Sequence, residues 1–238
     1  LAARGQYREA FDIIKKDNPI PGVVGRVCHH PCEVKCRAGE IDKPISIRGL
    51  KRFIADWARA NKAVYPAKPG IPTGKRVAVI GSGPAGLTAA YNLVLKGHAV
   101  TIFEAEDKPG GMLYLGIPEY RLPRAILEHD IKSIMLPGIE LRSGTRVGRD
   151  ITIDQIITQS YQAVFIAVGA YKSMKLGIPG EDTADVLYAM DFLKAVHTGK
   201  QIDLGPRVAV VGGGNSAVDA ARVARRMGRE VTILYRRT

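Results

Sequence analysis

Arg76-Val77-Ala78-Val79-Ile80-Gly81-Ser82-Gly83-Pro84-Ala85-Gly86 sets how this chain of 238 residues folds. A short run rich in β-branched residues leads straight into Gly-x-Gly-x-x-Gly, and a helical pattern follows. The glycines of such a turn serve a tight bend, close backbone approach to a pyrophosphate, and close packing of helix on strand. The helix that starts there directs its free N–H groups and positive dipole end at phosphate. A second strand-like run, Val100-Thr101-Ile102-Phe103, ends at Glu104, eighteen residues past Gly86. A carboxylate at that point is placed to meet a ribose hydroxyl. Gly81, Gly83, Pro84, Ala85, Gly86 and Glu104 are therefore candidate dinucleotide-binding residues.

Further along the chain the arrangement occurs again. Val208-Ala209-Val210-Val211 leads into Gly212-Gly213-Gly214-Asn215-Ser216-Ala217, a helical pattern runs to a capping Gly228, and Val231-Thr232-Ile233-Leu234 reads as a strand. Eighteen residues past Ala217 stands Tyr235, not an acid, followed by Arg236 and Arg237. Two fingerprints imply two nucleotides. The economical assignment is FAD at the first and a nicotinamide nucleotide at the second, with hydride passing between them. A carboxylate after the second strand would repel a 2′-phosphate, whereas Arg236 and Arg237 can pair with one, so NADPH is expected over NADH.

Composition narrows the class. An apolar share of 46% suits a globular protein, and no run of eighteen apolar residues offers a membrane span. The charge is +12, from 35 Lys and Arg against 23 Asp and Glu. The basic residues are scattered and no nucleic-acid motif accompanies them, so the charge reads as solubility plus attraction for phosphates and acidic partners. No signal peptide is visible and the expected location is cytoplasmic. The chain opens on Leu1 and stops at Thr238, just past the second strand of the second fingerprint; it reads as truncated at both ends.

All three cysteines fall in one stretch, Cys28-His29-His30-Pro31-Cys32-Glu33-Val34-Lys35-Cys36. An odd number without a secretory signal argues against a disulfide framework. Iron–sulfur ligation, zinc and buried thiols remain as readings of the residues alone.

The flanks, Asn18-Pro19-Ile20-Pro21-Gly22-Val23-Val24-Gly25-Arg26-Val27 and Pro44-Ile45-Ser46-Ile47-Arg48-Gly49-Leu50-Lys51-Arg52-Phe53, resemble the N-terminal cluster domain of the glutamate synthase small-subunit family. That family includes the flavin half of dihydropyrimidine dehydrogenase and the large subunit of NADH-dependent ferredoxin:NADP oxidoreductase. Cluster motif, flavin fingerprint and nicotinamide fingerprint follow the family's order along the whole chain. The resemblance implies two 4Fe–4S clusters, with Cys28 and Cys32 serving one and Cys36 the other. Further ligands would come from an upstream motif absent here, and Lys51 stands where some members place a polar ligand. It also implies that Gly111, Met112 and Leu113 approach the flavin, that Arg121 faces its phosphates, and that the Val147 backbone meets the adenine. The run Ala163–Ala170, through Gly169, would be a buried strand returning beneath the flavin.

The expected fold is α/β: two Rossmann-like dinucleotide-binding domains, the nicotinamide domain inserted in the flavin domain, behind a small helical iron–sulfur domain. The divisions are 1–70 for the cluster domain, 75–200 for the flavin domain and 205–238 for the nucleotide domain, with 61–75 as a proline-rich linker. Residues 1–17 read as a basic helix, 18–44 as loop-rich, and Leu50, Phe53, Ile54 and Trp57 as one apolar helix stripe. The activity implied is electron transfer from NAD(P)H through FAD to clusters and a larger partner subunit or domain. No protein acid or base is required, so no catalytic residue is named. A disulfide-reductase reading fails within these residues because no cysteine follows Cys36. The rival of another class is a non-catalytic cluster and flavin scaffold inside a larger redox complex.

Overall fold

The computed structural model describes residues 1–236 of the chain. The N-terminal region holds α1 (Tyr7–Asp17), α2 (Pro21–Val27), the one-turn α3 (Pro31–Val34) and α4 (Ile47–Ala60). Tyr7, Phe11 and Ile14 of α1 pack toward Ile54 and Ala58 of α4, as helical spacing requires. The 18–44 stretch departs from expectation by containing α2. Pro21 sits in its first turn, where a missing N–H costs nothing and a fixed φ favours the helix. The stripe on α4 is also divided. Ile54 is 1% exposed, but Leu50 and Phe53 are 45% and 48% exposed: the side of α4 that carries Ile54, Ala55 and Ala58 is buried, while Phe53 keeps an edge-on contact with the Tyr7 ring of α1 at 5.1 Å.

The first fingerprint lies in a larger unit: β1 (Arg76–Ile80), α5 (Pro84–Leu95), β2 (Ala99–Phe103), α6 (Met112–Leu115), α7 (Arg124–Ile134), β3 (Ile139–Arg142), α8 (Ile153–Thr158) and β4 (Ala163–Ile166). The strands form one parallel sheet in the order β3-β2-β1-β4, with Val77 opposite both Val100 and Ala163. Val79 and Ile102 point to one face and meet Leu87, Ala90, Tyr91 and Val94 of α5 and Leu127, Ile131 and Ile134 of α7. Ile20 and Val23 of α2 join this same core. Ala78 and Phe103 face the other way, onto Ile156 and Tyr161. The linker is held in place, with the Gly70 and Thr73 N–H groups donating to the Val94 and Gly97 carbonyls.

The strand expected to be buried over 163–170 is shorter and more open. β4 ends at Ile166 and forms the sheet edge, with Phe165 and Ile166 43% and 63% exposed. Its apolar run matches a strand paired on both sides, and among the described residues only β1 pairs with it.

From β4 the chain runs through α9 (Ala189–His197) into the second unit, β5 (Arg207–Val211), α10 (Asn215–Arg226) and β6 (Glu230–Leu234). β5 and β6 are parallel, with Val208 opposite Val231. Gly228 closes α10 in the left-handed conformation, φ +80°. Phe192 and Leu193 of α9 pack against Ala220, Val223 and Ala224 of α10. No helix of the described residues is long and apolar enough to cross a membrane.

Candidate dinucleotide site

The first fingerprint forms a tight turn between β1 and α5. Gly81 has φ +101°, a region closed to most side chains, and its N–H donates to the Phe103 carbonyl at 2.8 Å. Gly86 lets α5 sit against that turn: a Cβ there would lie 1.9 Å from the Gly81 carbonyl oxygen. Gly83 is the N-cap of α5, and a Cβ added to it would meet nothing within 4 Å. That open space is the mouth of a cleft of about 640 Å³.

Glu104, at the end of β2, borders this cleft and is 6% exposed. One carboxylate oxygen accepts from the Ser82 N–H at 2.8 Å and from the Ser82 hydroxyl; the other accepts from the Glu106 N–H at 2.8 Å. The Ser82 hydroxyl in turn accepts from the Gly110 N–H at 3.2 Å. The acid is thus oriented by the fingerprint and the 110–111 turn. Its negative charge is held by backbone and hydroxyl donors, with no cation in contact among the described residues.

Of the expected flavin residues, Gly81, Gly83, Pro84, Ala85, Glu104, Gly111, Met112, Val147 and Gly169 line the cleft. Three do not. Gly86 lies beneath the turn as a packing residue, and Leu113 belongs to the core below it. Arg121 stands apart: its Nη1 is paired with Asp219 of α10, and it does not border the cleft. Its guanidinium is claimed by a buried carboxylate that sequence distance concealed. Arg146 and Lys194 border the cleft instead, at 3.5 and 2.6 Å from the Glu106 carboxylate. No motif marks them: Arg146 lies in the connection from β3 to α8, and Lys194 on α9 meets the cleft only through tertiary packing. The cleft suits a dinucleotide: it borders a helix N-terminus, lacks side-chain bulk at Gly83 and is lined by a buried acid.

The second fingerprint repeats the turn. Gly212 has φ +120° and its N–H donates to the Leu234 carbonyl at 2.8 Å. Gly214 caps α10, with Asn215, Ser216 and Ala217 in its first turn. The Tyr235 ring lies against Gly213, where a Cβ would come within 2.6 Å of it. Arg236 follows at the end of β6; Arg237 lies outside the described residues.

The cysteine stretch fits iron in chemistry but not in number. The Cys28 sulfur accepts from the His30 N–H at 3.3 Å. Backbone hydrogen bonds at Ile45, Ala38 and Gly39 hold the Cys36 thiol below the ordinary range, which favours the thiolate that metals bind. Cys32 is exposed, and among the described residues no group of three or more His, Cys, Asp or Glu side chains is gathered for a metal. Three thiolates complete neither of the two expected clusters.

Comparison with known proteins decides the family. The family model described as pyridine nucleotide-disulphide oxidoreductase matches residues 75–238. The chain belongs to that family. Residues 1–63 match a second family model, dihydropyrimidine dehydrogenase domain II, 4Fe-4S cluster. The beta subunit of the NADP(+)-dependent formate dehydrogenase of Moorella thermoacetica is 45% identical over 98% of this chain and 36% of its own length. The small chain of Bacillus subtilis glutamate synthase [NADPH] is 39% identical over 95% of this chain and 48% of its own. The resemblance to glutamate synthase small chains is therefore shown. Among solved structures, Mycobacterium tuberculosis FprA in complex with NADPH matches with a TM-score of 0.56 and 28% identity, over 63% of this chain and 36% of that one. The chain spans between a third and a half of the length of these relatives.

Proposed function

We propose that the chain is the nucleotide-handling part of an NADPH-dependent flavoprotein oxidoreductase whose electrons leave for a larger partner subunit or domain. The carrying observation is the buried Glu104 carboxylate in the wall of a cleft that also takes in Gly83 and the α5 N-terminus. In this reading Gly81, Gly83, Pro84 and Ala85 receive the pyrophosphate of FAD, Glu104 its ribose, and Val147 its adenine. Gly111, Met112 and Gly169 border the remainder. FAD, when bound, supplies an acceptor for a hydride and a donor of single electrons.

Gly212, Gly213, Gly214, Asn215, Ser216 and Ala217 bind the pyrophosphate of NADPH at the α10 N-terminus. Arg236 and Arg237 take its 2′-phosphate, each charge-assisted bond contributing roughly 1.5–3 kcal/mol. Cys28, Cys32 and Cys36 are proposed thiolate ligands to 4Fe–4S iron. As three thiolates complete no four-ligand set, the chain's own residues carry the route only as far as the flavin. The relatives named as beta subunit and small chain support a larger partner, and the charge of +12 suits an acidic face on it.

Anaerobic mixing of the FAD-loaded, full-length protein with each nucleotide is the test. NADPH is expected to bleach the flavin band faster than NADH. A protein that takes up no FAD on reconstitution, or whose flavin band neither nucleotide bleaches, sinks the reading.

A further inference from the structure

Four side-chain hydrogen bonds join residues 1–166 to α9–β6 among the described residues: Lys194 to Glu106, His197 to the Leu115 carbonyl, and two on Asp219. Only those on Asp219 reach α10. The Tyr120 hydroxyl donates to Asp219 Oδ1 at 3.0 Å, and Arg121 Nη1 pairs with Oδ2. The Asp219 side chain is 6% exposed, so both carboxylate oxygens are engaged away from water. The Tyr120 ring is further held by α10 itself: the Arg222 and Arg226 guanidinium carbons each lie 4.0 Å from its centroid.

The segment that makes this grip is the one that begins in the flavin cleft. Gly111, Met112 and Leu115 border the cleft, and five residues beyond Leu115 the chain reaches Tyr120 and Arg121. Its middle is pinned to α9 by His197 Nδ1 at 2.7 Å from the Leu115 carbonyl. One short connection therefore ties the wall of the first site to the helix that opens on the second.

We propose that Asp219, gripped by Tyr120 and Arg121, is a positioning residue that holds the NADPH-binding helix in register with the flavin cleft for hydride transfer. The proposal rests on the reading of the two fingerprints given above. Its physical basis is the steep dependence of transfer on geometry. Reacting atoms must lie about 3–3.5 Å apart, and a misplacement of roughly 1 Å can cost about 10²-fold in rate. A buried carboxylate with two directional partners fixes a helix against rotation and sliding in a way that apolar packing does not. The fingerprint residues bind nucleotide locally, so loosening the grip leaves affinity intact and slows transfer.

The test compares wild type, Asp219→Ala, Arg121→Ala and the double variant in the full-length, FAD-loaded protein. Stopped-flow reduction across NADPH concentrations separates the limiting rate from the dissociation constant. Amide exchange over 215–226 without nucleotide gives a second readout. Each single variant is expected to keep its FAD, bind NADPH within threefold of wild type, reduce at least tenfold more slowly and exchange faster over α10. The double variant strands neither charge, so it guards against misfolding; it is expected to be no slower than the slower single variant, since both act through one contact. Loss of FAD from Arg121→Ala would overturn the proposal in favour of a phosphate contact. Wild-type limiting rates in folded variants would overturn it as well, leaving Asp219 a stability residue. A wild type whose flavin NADPH does not reduce overturns this inference together with the reading beneath it.

Discussion

The two βαβ units open identically and finish differently. At each, the first glycine takes a positive φ and its N–H donates at 2.8 Å to the last residue of the neighbouring strand, Phe103 in one and Leu234 in the other. Beyond the turn they diverge. β1 and β2 are buried on both faces, whereas β5 and β6 leave Val211, Ile233 and Leu234 about half exposed. The third fingerprint position is Gly86 in the first unit and Ala217 in the second; the closing position is a buried acid in the first and an exposed Tyr235 in the second. The local turn is a property of the motif, while the depth of its setting is a property of what packs around it.

Substitution at the third positions probes this difference most severely. Gly86→Ala puts a methyl 1.9 Å from a backbone oxygen that cannot move without shifting β1 or α5. The expected loss is roughly 3 kcal/mol, with FAD uptake abolished, read by thermal unfolding and flavin absorbance. Ala217→Gly adds only backbone freedom to α10 and should cost about 1 kcal/mol or less. Comparable losses at the two sites would mean that the helices sit alike on their turns.

The closing positions come next. Glu104→Gln removes a charged acceptor from the Ser82 and Glu106 donors and places an amide donor among them. It should cost about 2 kcal/mol in urea unfolding and weaken FAD binding. Tyr235→Phe, at a side chain that is 59% exposed, should leave stability unchanged within roughly 0.5 kcal/mol. Equal effects would remove the asymmetry.

The smallest effect concerns burial in the first unit's neighbourhood, which the second unit does not share. Lys15 of α1 is 2% exposed, donates to Ser133 on α7 at 2.7 Å, and is lowered by burial to about 8, against the opposing pull of Asp130. A lysine whose pKa falls on folding favours its neutral form there. Stability is thus lowest below pH 8 and rises as pH climbs from 8 toward 10.5, where the unfolded chain still holds the proton. The gain from pH 8 to 9 is expected to be about 1 kcal/mol. Urea melts of the wild type followed through Trp57 should show it, and melts of Lys15→Met should not. A slope that persists in the variant would place the titrating group elsewhere.

Both turns, their helices, the seat of Glu104 and the helical character of the N-terminal region are readable from residue order, because a turn and its caps are short-range events. The partner of Arg121 is hidden for the complementary reason. A guanidinium is suited to any anion, and the one that pairs with it here, Asp219, stands almost a hundred residues away in sequence. Leu50, 45% exposed beside the buried Ile54, shows the same limit: helical spacing says which side chains share a face, not how far another element covers it.

Residue order alone settles two dinucleotide turns, their place behind a cysteine-bearing helical region, and the acid that closes the first. Those depend on φ angles, strand runs and spacings that a few neighbouring residues impose. Packing in three dimensions was needed to bring Lys194 of α9 to the cleft at Gly83, to join α2 to the core of the first sheet through Ile20 and Val23, and to set Asp219 in the grip of Tyr120 and Arg121. Each joins residues distant along the chain, and only the packing of their elements brings them within reach of one another.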